Sequence, residues 1–137
     1  MENRIIKFRA WSKNAVGMQY RTLAEYQEKG FGLPYPHDPD VVVMQFTGLK
    51  DKNGKEIYEG DIVKWIEFAS IEEENEGIIH DKGIGIIEWG RQANEAEWLI
   101  VRDTDIHSLS SFPNRTMLER SDVEVIGNIY ENPELLN

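Results

Sequence analysis

Residues 41–63, Val41-Val-Val-Met-Gln-Phe-Thr-Gly-Leu-Lys-Asp-Lys-Asn-Gly-Lys-Glu-Ile-Tyr-Glu-Gly-Asp-Ile-Val63, decide the fold class. Val41–Thr47 is rich in β-branched and large apolar side chains, which suit a pleated, half-buried surface. Asn53-Gly54 is the pair that two-residue hairpin turns favour, because both central residues of such a turn need positive φ. Glu56–Tyr58 then returns as a strand, Glu59-Gly60-Asp61 turns the chain again, and Ile62–Phe68 forms the next strand. Gly54 and Gly60 read as turn glycines. Asp61 reads as a turn carboxylate that accepts backbone N–H bonds, not as a general base. Two reversals in so short a stretch point to an antiparallel β architecture.

The flanks agree. Toward the N-terminus, Arg4-Ile-Ile-Lys-Phe-Arg-Ala-Trp11 alternates, with Ile6, Phe8 and Ala10 on one face and Lys7 and Arg9 on the other, as in a half-buried strand. Thr22–Lys29 predicts a short helix, with Thr22 as N-cap, Glu25 three residues on and Gly30 at the C-terminal cap. Three prolines in Gly32–Pro39 make an extended loop. That loop marks 1–40 as a candidate N-terminal subdomain beside a β-barrel body at 41–137, within one domain spanning 1–137. Toward the C-terminus, Gly83–Trp89 and Glu97–Arg102 pair around a polar turn at Gly90–Glu95, and Val123–Tyr130 is a last strand. Asn132-Pro133-Glu134 supplies an N-cap, a proline at the first helical position and a carboxylate in the first turn. The expected fold is mostly β (α+β with a minor helix): a small antiparallel β-barrel or sandwich with a short N-terminal helix.

Composition narrows the function classes. Fifteen Lys+Arg against 25 Asp+Glu leave a formal charge of −10, the wrong sign for general binding to a phosphate backbone. The basic residues concentrate at the N-terminus, so Arg4, Lys7 and Arg9 with Trp11 are the candidate nucleic-acid contacts. Trp65 and Trp89, each beside a charged residue (Lys64, Glu88), are the candidate exposed stacking pair; the strand positions of all four tryptophans otherwise suit core packing. Glu72-Glu73-Glu74-Asn75-Glu76 reads as a solvated loop. The absence of cysteine excludes disulfides, thiolate catalysis and Cys-based metal sites. No apolar run approaches the roughly 20 residues of a membrane helix, and Met1–Trp11 has no signal-peptide core, so a cytoplasmic location without membrane contact is expected. His37, His80 and His107 show no ligand spacing, and Ser108-Leu-Ser-Ser111 lacks a nucleophile elbow. Gly48, Gly54 and Gly60 match no phosphate-binding loop. The expectation is a protein that is not an enzyme, with no catalytic, metal or cofactor-binding residue.

Three blocks, Ile6–Trp11, Met44–Val63 and Val125–Leu136, together resemble the YopX family, small proteins encoded mainly by bacteriophages and prophages of Gram-positive bacteria. The resemblance implies a phage or prophage origin and brings no activity, cofactor or catalytic residue with it. The reading is therefore a non-catalytic binding or assembly module acting through protein–protein contacts. The alternative is a small nucleic-acid-binding β-barrel used in phage DNA or RNA processes. The expected partners are the chain itself, through the apolar Tyr130, Leu135 and Leu136 of its terminal segment, and a phage or host macromolecule.

Overall fold

The computed structural model describes residues 5–12, 17–29, 40–68, 79–92, 95–102, 105–109 and 121–137. The expected positions Arg4, Gly30, the proline stretch with His37, the acidic run 72–76 and Ser110-Ser111 lie outside these residues. Within them the strands are β1 (Lys7–Ser12), β2 (Met18–Thr22), β3 (Val41–Lys50), β4 (Glu56–Tyr58), β5 (Asp61–Phe68), β6 (Ile79–Gln92), β7 (Glu95–Arg102), β8 (Asp105–Ser108) and β9 (Ser121–Asn128). One helix, α1 (Leu23–Lys29), follows β2, and a 3₁₀ turn, Pro133–Leu136, closes the chain. A four-stranded sheet has the order β2-β1-β3-β4 and a five-stranded sheet the order β8-β7-β6-β5-β9; the pairings are antiparallel. The sheets do not close on each other, so of the two expected architectures the fold is the sandwich.

The described strands before residue 40, β1 and β2, share a sheet with β3 and β4. β1 is an interior strand, paired with β2 on one side and with Val41–Gln45 of β3 on the other. The helix begins where the sequence placed it: Thr22 Oγ1 accepts from the Glu25 N–H at 3.2 Å, and the Glu25 carboxylate reaches back to the Thr22 hydroxyl at 3.0 Å. Phe8 meets Tyr26 of this helix with ring centroids 5.7 Å apart, while Arg9 and Lys7, on the opposite face of β1, reach groups beyond their own strand.

The central hairpin differs in detail from the two-residue turn expected at Asn53-Gly54. Gly54 N–H donates to the Asp51 carbonyl and Asp51 N–H to the Lys55 carbonyl, so the loop is three residues long, Lys52-Asn53-Gly54. Gly54 supplies the left-handed φ of +82° at its last position, the usual end of a three-residue hairpin loop. Earlier in β3, Gly48 has φ +85° within a register shift between Phe46 and Lys50, and Phe46 and Thr47 are both buried on either side of the pleat change.

The core joins the inner face of the five-stranded sheet to β4. Val63 and Trp65, Trp98 and Ile100, and Val123 and Val125 contribute at every second residue, and Ile57, Ile87 and Leu109 complete the cluster. Trp65 is 1% exposed, and its indole occupies space that side chains on β6 would otherwise fill. A Cβ on Gly83 would stand 2.8 Å from the ring, and one on Gly85 would stand 3.0 Å from the ring, 2.7 Å from Ile100 Cγ2 and 3.0 Å from the Val101 carbonyl oxygen. Gly85→Val is therefore expected to destabilise by about 1–3 kcal/mol through overpacking, although valine is the better strand former. Urea unfolding measures this; an unchanged or raised midpoint would show that Trp65 is not seated against Gly85.

Candidate functional site

Lys7 and Arg9 face β4 of their own sheet and the first residue of β5 in the second. Lys7 Nζ pairs with Glu56 Oε2 at 2.7 Å. Arg9 Nη2 lies 2.8 Å from Asp61 Oδ1 and donates to the Glu59 carbonyl at 3.0 Å, and the guanidinium sits 4.8 Å from the centre of the Tyr58 ring. Both members of the Arg9–Asp61 pair are 3% exposed at their side chains. Asp61 Oδ2 accepts from the Tyr58 N–H at 2.8 Å, so the turn-capping role expected of this residue is present together with an ion pair that local sequence did not announce. Burial pushes the Asp61 carboxyl above its ordinary range, opposed by the Arg9 charge and the Tyr58 N–H. Between the two lies Gly60, with φ +84°. Its N–H donates to the Ile87 carbonyl and its carbonyl accepts from Ile129, and a Cβ there would meet Met44 Sδ at 3.0 Å.

Arg9, Glu56, Tyr58 and Asp61 floor a polar cleft of about 410 Å³, walled further by Tyr20, Lys55, Asn128 and Glu131. Most of its polar side chains are already committed. Asn128 Oδ1 accepts from the N–H groups of Tyr130 and Glu131, and its amide donates to the Glu131 carboxylate. Asn132 departs from its expected helix-capping role: its Oδ1 accepts from the Asn128 N–H, and the side chain occupies the place a Cβ on Gly127 would need. The terminal Gly127–Asn132 segment is thus knotted onto its own sheet. Tyr130 stacks on Trp11 with centroids 6.2 Å apart and planes 24° apart, so this ring is used within the chain.

The Tyr58 hydroxyl is pushed up from 10.0 to about 12, chiefly by burial and then by the nearby Glu56 charge. A folded pKa above the unfolded value means that Tyr58's contribution is fully present below pH 10.0 and is lost as the pH rises toward about 12. Unfolding free energy is expected to fall across that window, and Tyr58→Phe to flatten the fall. Urea titrations of both proteins from neutral to strongly alkaline pH would check this; equal slopes would assign the alkaline loss elsewhere.

The two candidate stacking tryptophans separate. Trp65 is buried in the core and presents no surface, a correction to the expected exposed pair. Trp89 is 55% exposed. Its partner is Trp98, directly opposite it on β7, with centroids 4.9 Å apart and planes inclined by 70°. With Ile6, Gln45 and Glu59 these rings line an open cleft of about 440 Å³ between β6–β7 and the first sheet. Of the nucleic-acid candidates, Lys7 and Arg9 are held in ion pairs and Trp11 is half-buried under Tyr130. Among the described residues no group of three or more His, Asp or Glu side chains is placed to hold a metal ion, and no helix is long and apolar enough to cross a membrane.

The geometry defines a two-sheet β-sandwich whose sheets are joined by an apolar core and, among the described residues, bridged by the buried Arg9–Asp61 ion pair, with an aromatic cleft open at its surface. A family model described as YopX protein matches residues 7–137, and the chain belongs to that family. The chain is also similar to the crystal structure of protein EF1440 from Enterococcus faecalis, at 24% identity over 98% of this chain and 100% of that one, with a TM-score of 0.48. No curated protein matches it.

Proposed function

We propose that the chain is a phage- or prophage-encoded, non-catalytic binding or assembly module that works through protein–protein contacts in the cytoplasm of a bacterial host. Its partners are a phage or host protein and, in assembly, copies of itself. The observation that carries this reading is Trp89, an indole left more than half exposed beside a cleft whose other walls are apolar or uncharged except for Glu59. Exposed tryptophan is uncommon on surfaces that meet only water and is enriched at protein interfaces. The polar cleft supports the same reading from the other side: Arg9, Asp61 and Asn128 spend their hydrogen bonds on holding the sheets and the tail.

Affinity capture from nuclease-treated host lysate, run in parallel with wild type and Trp89→Ala, tests the proposal. A stoichiometric protein retained by the wild type and lost by the variant is the expected result. Captured material that vanishes with nuclease would overturn it in favour of nucleic-acid binding.

A further inference from the structure

The Trp89–Trp98 cleft has one charged wall. Glu59 is half-buried there, and its carboxylate makes no ion pair or hydrogen bond among the described residues. Its backbone is fixed: the N–H donates to the Gln45 carbonyl and the carbonyl accepts from Arg9. The Arg9 guanidinium that approaches this turn is already neutralised by Asp61. An acidic residue with its backbone fixed, lining one cleft with two indoles inclined at 70° and the aliphatic Ile6, is a constellation with a definite complement. Ring faces attract an organic cation, aliphatic walls accept its methylene stem, and a carboxylate accepts its N–H donors. The formal charge of −10 on the whole chain favours the same sign of partner.

We infer that this cleft receives a lysine or arginine side chain from an extended segment of a partner protein, the stem lying along Trp89 and the charged head reaching Glu59. The inference rests on the protein-binding reading above and adds to it the chemistry of the residue bound. A neutral apolar side chain would fill the aromatic corner and leave the Glu59 charge more deeply desolvated and still unpaired, which costs affinity. A nucleotide would stack on Trp89 and bring its phosphate toward that same carboxylate, a repulsive pairing.

The test is selection of random displayed peptides on the immobilised full chain, followed by titration of the selected peptides with Trp fluorescence as readout. A fixed Lys or Arg is expected in the selected set. Its replacement by norleucine, which keeps the stem and removes the charge, should weaken binding about tenfold, and so should Glu59→Gln or Trp89→Ala. Neither variant removes a hydrogen bond of the fold, and matching thermal melts would confirm that each remains folded. Peptides bound equally well by Glu59→Gln, or selected without a cation, would overturn the cation subsite and leave the protein-binding reading standing. No selected peptide at all would overturn the cleft as the docking point, while capture from lysate would still decide the broader reading separately. Quenching by a single-stranded oligothymidine that fades with salt, or concentration-dependent self-association abolished by Trp89→Ala, would assign the cleft to nucleic acid or to a second copy and overturn the inference.

Discussion

Asp61→Ala is expected to lower the unfolding free energy by about 3–5 kcal/mol, a large part of the 5–15 kcal/mol that holds a domain of this size together. The reason is not that the Arg9–Asp61 pair is strongly favourable in itself. Desolvating two charges costs several kcal/mol each, and their attraction does little more than repay it. Removing one partner is different, because Arg9 is 97% buried and would keep its charge with no counter-ion. The Tyr58 N–H would lose its acceptor in the same step. Arg9→Met should be damaging for the mirror reason, leaving the Asp61 carboxylate desolvated. The double variant Arg9→Met/Asp61→Leu should recover much of the loss, since apolar side chains of similar size can replace a buried pair at little cost. Urea unfolding of the two single variants and the double variant measures the coupling. Two single losses below about 1 kcal/mol each would show that the pair is hydrated and that the sheets are held by the core alone.

Much of this arrangement was legible in the sequence, and the boundary between what was and what was not follows the range of the interactions. Period-2 patterning located β1, and β-rich runs between turn residues located β3 to β7 and β9, because both signals are local consequences of a pleated, half-buried segment. The Thr22–Glu25 capping box and the positive-φ Gly54 were readable for the same reason: their partners lie within four residues. β2, Met18-Gln-Tyr-Arg-Thr22, was not, since a five-residue edge strand with no fully buried side chain owes its state to pairing with β1. Lys7 and Arg9 mark a wetted face in sequence, yet the face is covered, because the carboxylates that neutralise them arrive from β4 and the start of β5.

The tryptophans show the limit most directly. Trp65 and Trp89 have the same local signature, an indole beside a charged neighbour that faces the other side of the strand. Trp65 sits mid-strand between two paired neighbours, where the opposite sheet layer covers it; Trp89 lies farther along β6, only three residues short of its end. Alternation gives the face but not the depth. Trp98 was missed as the other half of the cleft because the expected turn, Gly90–Glu95, was too wide. With Gln92 opposite Glu95, residues 89 and 98 face each other directly. The Glu59 carboxylate, without an ion pair among the described residues, had no sequence signal beyond its place in a turn.

Asp51→Ala is expected to cost about 2–4 kcal/mol, from a residue that in sequence is only one more polar position in a hairpin loop. Asp51 is 8% exposed and serves both sheets at once. Oδ1 accepts from the N–H groups of Asn53 at 2.8 Å and Lys55 at 2.9 Å, which holds the three-residue loop in shape. Oδ2 accepts from the buried Val125 N–H at 3.0 Å, on the outer edge of β9, and the Lys52 N–H donates to the Val123 carbonyl beside it. The loop of one sheet therefore closes the edge of the other, protecting backbone groups that an open edge strand would leave free to pair with another chain. Asp51→Asn separates the two functions. Its carbonyl oxygen can still serve the loop, but its NH₂ then opposes the Val125 N–H, donor against donor, so stability should fall by an intermediate amount and the Val125 amide should exchange with solvent faster than in wild type. Both variants are also expected to associate more readily at high concentration, since β9 regains an unpaired edge. Unfolding midpoints, amide exchange at Val125 and sedimentation at two concentrations check the three expectations. Exchange at Val125 that does not change in either variant would mean that the β9 edge is protected by something other than Asp51.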